Sequence, residues 1–219
     1  MKKEKKYLIG GIIFTVLFAV FTILVATVDR ASAGESGAIV GFSKMNDAVF
    51  SNIGKSELFE KVSKLSGYAI ILFAVCFVVL AIVQLIKRKS LKKIDKNLYV
   101  LGGFFVVVAI LYVLFNIFSI NDRPVLVDGI LEPSYPSSHT LLALTFCGAI
   151  IIELPCYIKN TKLKNLAICI VAIVGACTLI GRILSGMHWI TDIFGAILLS
   201  VMLIFYYLSL RTKLCENEE

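Results

Sequence analysis

Long apolar runs alternate with short charged segments along the whole chain. The runs cover Tyr7–Val28, Tyr68–Ile86, Leu98–Ile120, His139–Ile158, Leu166–Leu184 and Trp189–Leu210. Blocks of about 18 or more apolar residues read as bilayer spans, because a helix rising ~1.5 Å per residue then crosses about 30 Å of hydrocarbon. The pattern predicts an all-α, polytopic membrane helix bundle of six transmembrane helices, built as a single domain over residues 1–219. The segment Asp29–Gly67 is too long for a plain turn between the first two spans. Within it Leu58, Phe59, Val62 and Leu65 recur at helical spacing with charges between them. An interfacial amphipathic helix lying on the membrane surface is one reading of that spacing; a partly ordered loop is the other.

Composition sharpens this picture. Of 219 residues, 58% are hydrophobic and only 17% are charged, too few charges for a soluble domain of this length. The formal net charge of +7 could on a soluble protein indicate nucleic acid. Here the lysines stand beside apolar blocks, so they read as topology signals and as contacts to the anionic headgroups of membrane lipids, with no nucleic-acid partner. With the N-terminus placed inside, the inner segments hold fifteen Lys and Arg, including the cluster Lys87, Arg88, Lys89, Lys92, Lys93 and Lys96. The outer segments hold seven: Arg30, Lys44, Lys55, Lys61, Lys64, Arg123 and Arg182. That asymmetry predicts both termini cytoplasmic. Leu8–Val28 is 21 residues long, longer than the usual apolar core of a signal peptide. The first span is therefore expected to be retained, although Ala31-Ser32-Ala33 resembles a cleavage site. Five of the six cysteines fall in spans, one lies in the tail and none forms a CxxC pair, which reads as small apolar filler rather than a disulfide framework.

Three short segments place polar residues where a membrane protein should avoid them: Asn121-Asp122-Arg123-Pro124, Pro136-Ser137-Ser138-His139, and Arg182 through Asp192. The topology brings all three to the outer side, together with both histidines of the chain. His188 and Asp192 lie four apart and share a helix face. A carboxylate that accepts the proton of one imidazole nitrogen fixes the tautomer, frees the other nitrogen to attack phosphorus, and stabilises the imidazolium that forms. His139, with an ordinary pKa near neutrality, can protonate a leaving oxygen. Arg123 and Arg182 offer planar donor forks to phosphate oxygens. Ser137 and Ser138 stand where the fourth span begins, so its free N–H groups and dipole make an anion site. Pro133 and Pro136 interrupt the backbone before it, and Gly186 allows a tight turn in the last loop.

Taken together, these residues resemble the type 2 phosphatidic-acid phosphatase superfamily, which includes bacterial lipid phosphate phosphatases and the vanadium haloperoxidases. The family pattern runs K-x6-R-P, P-S-G-H and S-R-x5-H-x3-D. Arg123-Pro124 matches the end of the first motif; Pro136, Ser137 and His139 match the second; Arg182, His188 and Asp192 match the third at the same spacing. The resemblance implies His188 as nucleophile, Asp192 as its partner, His139 as general acid, and phosphate binding by Arg123, Ser137 and Arg182. No cofactor or metal is expected. The motif-bearing core covers 116–192. Three positions depart from the pattern: Asn116 replaces the lysine, Ser138 the glycine, and Gly181 the serine before the arginine. Asn116 removes one cation from the phosphate site but retains hydrogen-bond donors, which leaves it an accessory role.

Each residue has a plainer reading. A boundary arginine anchors an interface, Asp192 caps a helix, Asn116 makes a helix–helix hydrogen bond, and Asp122, Asp128 and Glu132 are solvated. Three ordered motifs on one face outweigh these separate readings. A metal hydrolase is disfavoured by two arginines beside the histidines and by too few histidines for a three-histidine zinc site. A lipid phosphotransferase of the same fold, and a non-catalytic binding or transport protein, stand as alternatives. The expected activity is hydrolysis of a phosphomonoester or pyrophosphate of a lipid. By resemblance the candidates are undecaprenyl pyrophosphate, phosphatidylglycerol phosphate and phosphatidic acid. The expected location is a bacterial cytoplasmic membrane, with the site facing outward.

Overall fold

A computed structural model of the chain describes residues 2–216. Its helices are α1 (Lys3–Thr27), α2 (Ser43–Ile53), α3 (Glu57–Arg88), α4 (Lys96–Ile117), α5 (Ser138–Tyr157), α6 (Thr161–Leu184) and α7 (Ile190–Arg211), the last continued by a wider turn over Thr212–Glu216. After α1, strands β1 (Ala31–Ala33) and β2 (Ala38–Val40) form an antiparallel hairpin with Ser32 opposite Ile39. Among the described residues, six helices are long and apolar enough to cross a membrane: α1 and α3 to α7. A helix satisfies every interior backbone group within itself, which hydrocarbon demands. Six spans return the chain to its starting side, and there Ser209 donates to the Glu4 carbonyl at 3.0 Å.

The segment 58–65 is helical, but it is not a separate surface element. It forms the first turns of α3, which runs unbroken for 32 residues, or roughly 48 Å at helical rise. No proline interrupts it, and a single Gly67 costs too little to stop a helix of that length. The i,i+4 pairs Glu57–Lys61 and Glu60–Lys64 add support to the projecting turns. The separate helix of the segment between α1 and α3 is α2.

The spans that carry the second and third motifs lie deepest. α5 and α7 are the most buried of the six. Leu141 and Ala149 pack there against Ala196, Leu199, Leu203 and Tyr207, with Leu101, Phe104 and Val108 of α4 closing the cluster. α1 runs along α7, and α6 lies against α3 and α5. The outer faces keep their apolar side chains exposed, as at Ile12, Val16, Val20 and Ile23, where lipid takes the place of water. At the end of the bundle that holds the termini, the fully buried Glu153 accepts from the Tyr207 hydroxyl at 2.5 Å, Arg211 Nε at 2.5 Å and Asn97 Nδ2 at 2.9 Å. A carboxylate so fully partnered ties α4, α5 and α7 together.

Gly181, one of the positions that departs from the family pattern, marks the closest approach of α6 to α3. A Cβ there would stand 2.9 Å from Ser63 Cβ and 3.0 Å from the Phe59 carbonyl oxygen. Restoring the family residue, Gly181→Ser, is therefore expected to force the helices apart and destabilise the protein by about 1–3 kcal/mol. Thermal unfolding in detergent reads this directly, and an unchanged midpoint would show that α3 yields without cost.

Candidate active site

The end of the bundle opposite the termini gathers the connection from α4 to α5, the first turn of α5 and the turn from α6 to α7. Each strand of this gathering is pinned by the backbone. Ser134 N–H donates to the Asn121 carbonyl at 2.8 Å, and Ser137 N–H to the Asp192 carbonyl at 3.1 Å. Gly186 takes φ +66°, and a Cβ there would run into the Gly54 carbonyl, so the turn after α6 needs glycine on both counts. Ser56 N–H donates to the Ser185 carbonyl at 3.1 Å, which docks the start of α3 on the same turn.

The hairpin and α2 form a roof. Trp189, only 1% exposed, packs against Ala33, Val40 and Phe50 and donates its indole N–H to the Asp122 carbonyl at 2.7 Å. Asn46 of α2 donates to Thr191 Oγ1 at 2.9 Å and to the Gly41 carbonyl at 2.7 Å. Ser36 donates through its hydroxyl to the Arg123 carbonyl at 2.6 Å. The segment between α1 and α3 thus holds the motif segments in place, a function its own sequence did not announce.

Beneath the roof His188, Asp192, His139, Arg123, Arg182 and Ser137 come together. His188 Nδ1 lies 3.6 Å from Asp192 Oδ2, too far for a hydrogen bond. Ser134 fills the gap: its hydroxyl donates to Asp192 Oδ2 and lies 3.1 Å from His188 Nδ1. With the Ser134 proton on Asp192, Ser134 Oγ can accept from an Nδ1–H, which leaves Nε2 as the free lone pair. Asp192 also accepts from the Trp189 N–H at 2.9 Å, at the start of α7. It is therefore a helix cap and the anchor of the imidazole at once.

Four buried nitrogens at this site have no protein partner: His188 Nε2, His139 Nδ1, Arg123 Nε and Arg182 Nε. Arg182 is 1% exposed. Arg123 pairs on its outer side with Glu132 at 3.2 Å. The charges acting most strongly on His188 are those of Arg123, Arg182 and His139. Burial, reinforced by these cations, holds His188 well below its ordinary pKa of 6.5, so the imidazole is neutral. Unpartnered donors beside two guanidiniums and a neutral imidazole describe a socket for an anion. Among the described residues no three His, Cys, Asp or Glu side chains gather as a cation site.

Ser137 caps the start of α5, with its hydroxyl 3.0 Å from Thr140 Oγ1, and Ser138 is the first helical residue beside His139. Asn116 lies apart from this cluster in its bonding: it is exposed and donates to the Tyr112 carbonyl of its own helix at 2.7 Å.

A model of the PAP2 superfamily matches residues 116–215. The chain carries a PAP2-like segment over these residues. Its fold is similar to the crystal structure of the first transmembrane PAP2-type phosphatidylglycerolphosphate phosphatase from Bacillus subtilis, at a TM-score of 0.60 and 17% identity, over 93% of this chain and 96% of that one. No curated protein matches the sequence significantly. The matched segment begins at Asn116 and takes in all three motif segments.

Ser134, Asn46 and Trp189 went unnoticed in the sequence as parts of the site. Ser134 is separated from its partners by 54 and 58 positions, and no local periodicity reveals a contact of that range. If Ser134 orients His188, then Ser134→Ala removes a hydrogen bond to a charged group. Such a bond contributes about 1.5–3 kcal/mol, so kcat is expected to fall about 10- to 100-fold. Steady-state phosphate release checks this, and an unaltered kcat would mean that Asp192 acts on His188 without it.

Proposed function

We propose that this protein is a membrane lipid phosphate phosphatase. It hydrolyses a phosphomonoester or a pyrophosphate of a lipid through a phosphohistidine on His188, without a metal or cofactor, at the outer face of a bacterial cytoplasmic membrane. The observation that carries this reading is the neutral, buried, unpartnered His188 Nε2 facing Arg123 and Arg182.

In this scheme the two guanidiniums, the Ser137 hydroxyl and the N-terminal amide of α5 at Ser138 hold the phosphate oxygens. Nε2 attacks phosphorus in line with the leaving oxygen, and the imidazolium that results is stabilised through Ser134 by Asp192. His139 gives its proton to the leaving oxygen, then takes one from the water that cleaves the phosphorus–nitrogen bond. The arginines do what a divalent ion does elsewhere, neutralising charge on the equatorial oxygens. Candidate lipids are phosphatidylglycerol phosphate, undecaprenyl pyrophosphate and phosphatidic acid; the first is supported by the name of the similar Bacillus subtilis structure.

The test is phosphate release by the purified protein in detergent, with EDTA present, from these three lipids. Release that His188→Ala abolishes supports the reading. Release that requires an added divalent ion defeats the metal-free mechanism. Phosphate that appears on an added lipid alcohol rather than in water assigns the same intermediate to a phosphotransferase. Turnover retained in both His188→Ala and His139→Ala would leave only a binding or transport role.

A further inference from the structure

α3 brings to the site a charge that no motif contains. Lys64 lies 2.6 Å from Glu60 Oε1, with half of its side chain exposed. It lines a cavity of about 200 Å³ with Tyr68, Ile71, Tyr112, His139 and Leu142. Tyr68, Ile71 and Tyr112 are themselves exposed hydrophobics of α3 and α4, so the cavity has an apolar rim on the lipid side and a histidine at its inner end. An apolar entrance with a few convergent polar groups is the form of a site for an amphipathic ligand.

The charges around the two histidines differ. Those acting most strongly on His188 are Arg123, Arg182 and His139, and His188 does not line the cavity. Those acting on His139 are Arg182, Arg123 and Lys64. Lys64 therefore stands on the side of the group proposed to protonate the leaving oxygen. Across the cavity α4 offers no cation: Asn116, in the place of the family lysine, is bonded to the Tyr112 carbonyl one turn away. The Glu60–Lys64 pair is an i,i+4 contact on one helix, weak enough to be exchanged for a stronger anion.

We propose that Lys64 is a specificity-determining residue that binds an anionic leaving group, so that this site favours lipids whose leaving group carries its own phosphate. The inference rests on the hydrolase reading above. With a lipid diphosphate, His188 Nε2 forms a bond to the terminal phosphorus while the bond from that phosphorus to the bridging oxygen breaks. The bridging oxygen keeps the electron pair and leaves on the lipid monophosphate, whose added charge meets Lys64 and the proton of His139. Water then cleaves the phosphohistidine to inorganic phosphate. With a monophosphate such as farnesyl monophosphate or phosphatidic acid the protonated leaving group is a neutral alcohol, and Lys64 has no charge to meet.

Farnesyl diphosphate and farnesyl monophosphate carry the same tail and separate the two cases. Phosphate release from each is measured with the full chain, Lys64→Gln and Lys64→Arg. Loss of one charge-assisted contact is expected to lower the ratio of kcat/KM for diphosphate over monophosphate about tenfold in Lys64→Gln. Lys64→Arg should restore it. The ratio is independent of how much of a preparation is folded. An equal fall on both substrates, or no change on either, overturns the proposal while leaving the hydrolase reading intact. Release from neither lipid by the unaltered chain overturns both.

Discussion

Replacing His188 with alanine is expected to lower lipid phosphate hydrolysis by about 10³-fold or more, because a missing nucleophile cannot be replaced by better binding. The expectation rests on geometry. His188 is held between Ser134 and the α6–α7 turn, is 6% exposed, and points a partnerless Nε2 among positive charges. Each of these raises its suitability as an attacking base: burial keeps it neutral, Ser134 fixes the ring, and the arginines draw the phosphate to it. The same geometry predicts a second observable. Brief exposure to ³²P-labelled substrate followed by quenching should trap label on the protein, stable to alkali and lost in acid, and absent from His188→Ala. Full turnover without a trapped species in the unaltered enzyme would point to direct attack by water. The binding residues would then survive the test and the covalent step would not.

Replacing His139 should reveal the other half of the reaction. Protonation of a leaving group contributes roughly 10²–10⁴-fold. The loss in His139→Ala should therefore fall in that range for a lipid alcohol, whose alkoxide leaves poorly. It should shrink for a substrate that needs no proton, such as an aryl phosphate with an acidic phenol. Both measurements use one preparation, and comparing them separates an acid from a scaffold. An equal loss on both substrates would mean that His139 positions phosphate or supports the start of α5. Its place at the inner end of the cavity, with Nδ1 unpartnered, favours the acid. Lys64, which lines the same cavity, adds to this, because a leaving group that carries its own charge would meet it there.

The roof over the site links these expectations to the fold. β1, β2 and α2 contribute no acid, base or phosphate donor, yet Ser36 between the strands and Asn46 of α2 bond directly to the motif segments, and Ala33, Val40 and Phe50 pack on Trp189 within them. Catalysis of this type needs its groups held in a productive geometry rather than merely present. The segment between α1 and α3 therefore belongs to the candidate site by position, although residues 29–56 lie outside the matched family segment.

The linear chain was sufficient for the membrane character of the protein, its six spans and its resemblance to the PAP2 superfamily. The reason is that these depend on local quantities. A bilayer requires an apolar run of fixed length, so Tyr7–Val28 or Leu98–Ile120 can be recognised without a partner. Arg182, His188 and Asp192 lie within one turn and its flanking helices, so their spacing carries their arrangement. The tertiary structure decided what depends on distant segments. Leu58 to Leu65 could not be known as the first turns of α3, because amphipathic spacing is the same in a surface helix and in a projecting one. The close packing of α3 on Gly181 has no local signal in the sequence. Ser134 bridges His188 and Asp192 from more than 50 positions away, and Lys64 reaches the His139 cavity from a different span. Such contacts form only when helices pack, and packing is set by the shapes of many side chains at once, which no single segment records.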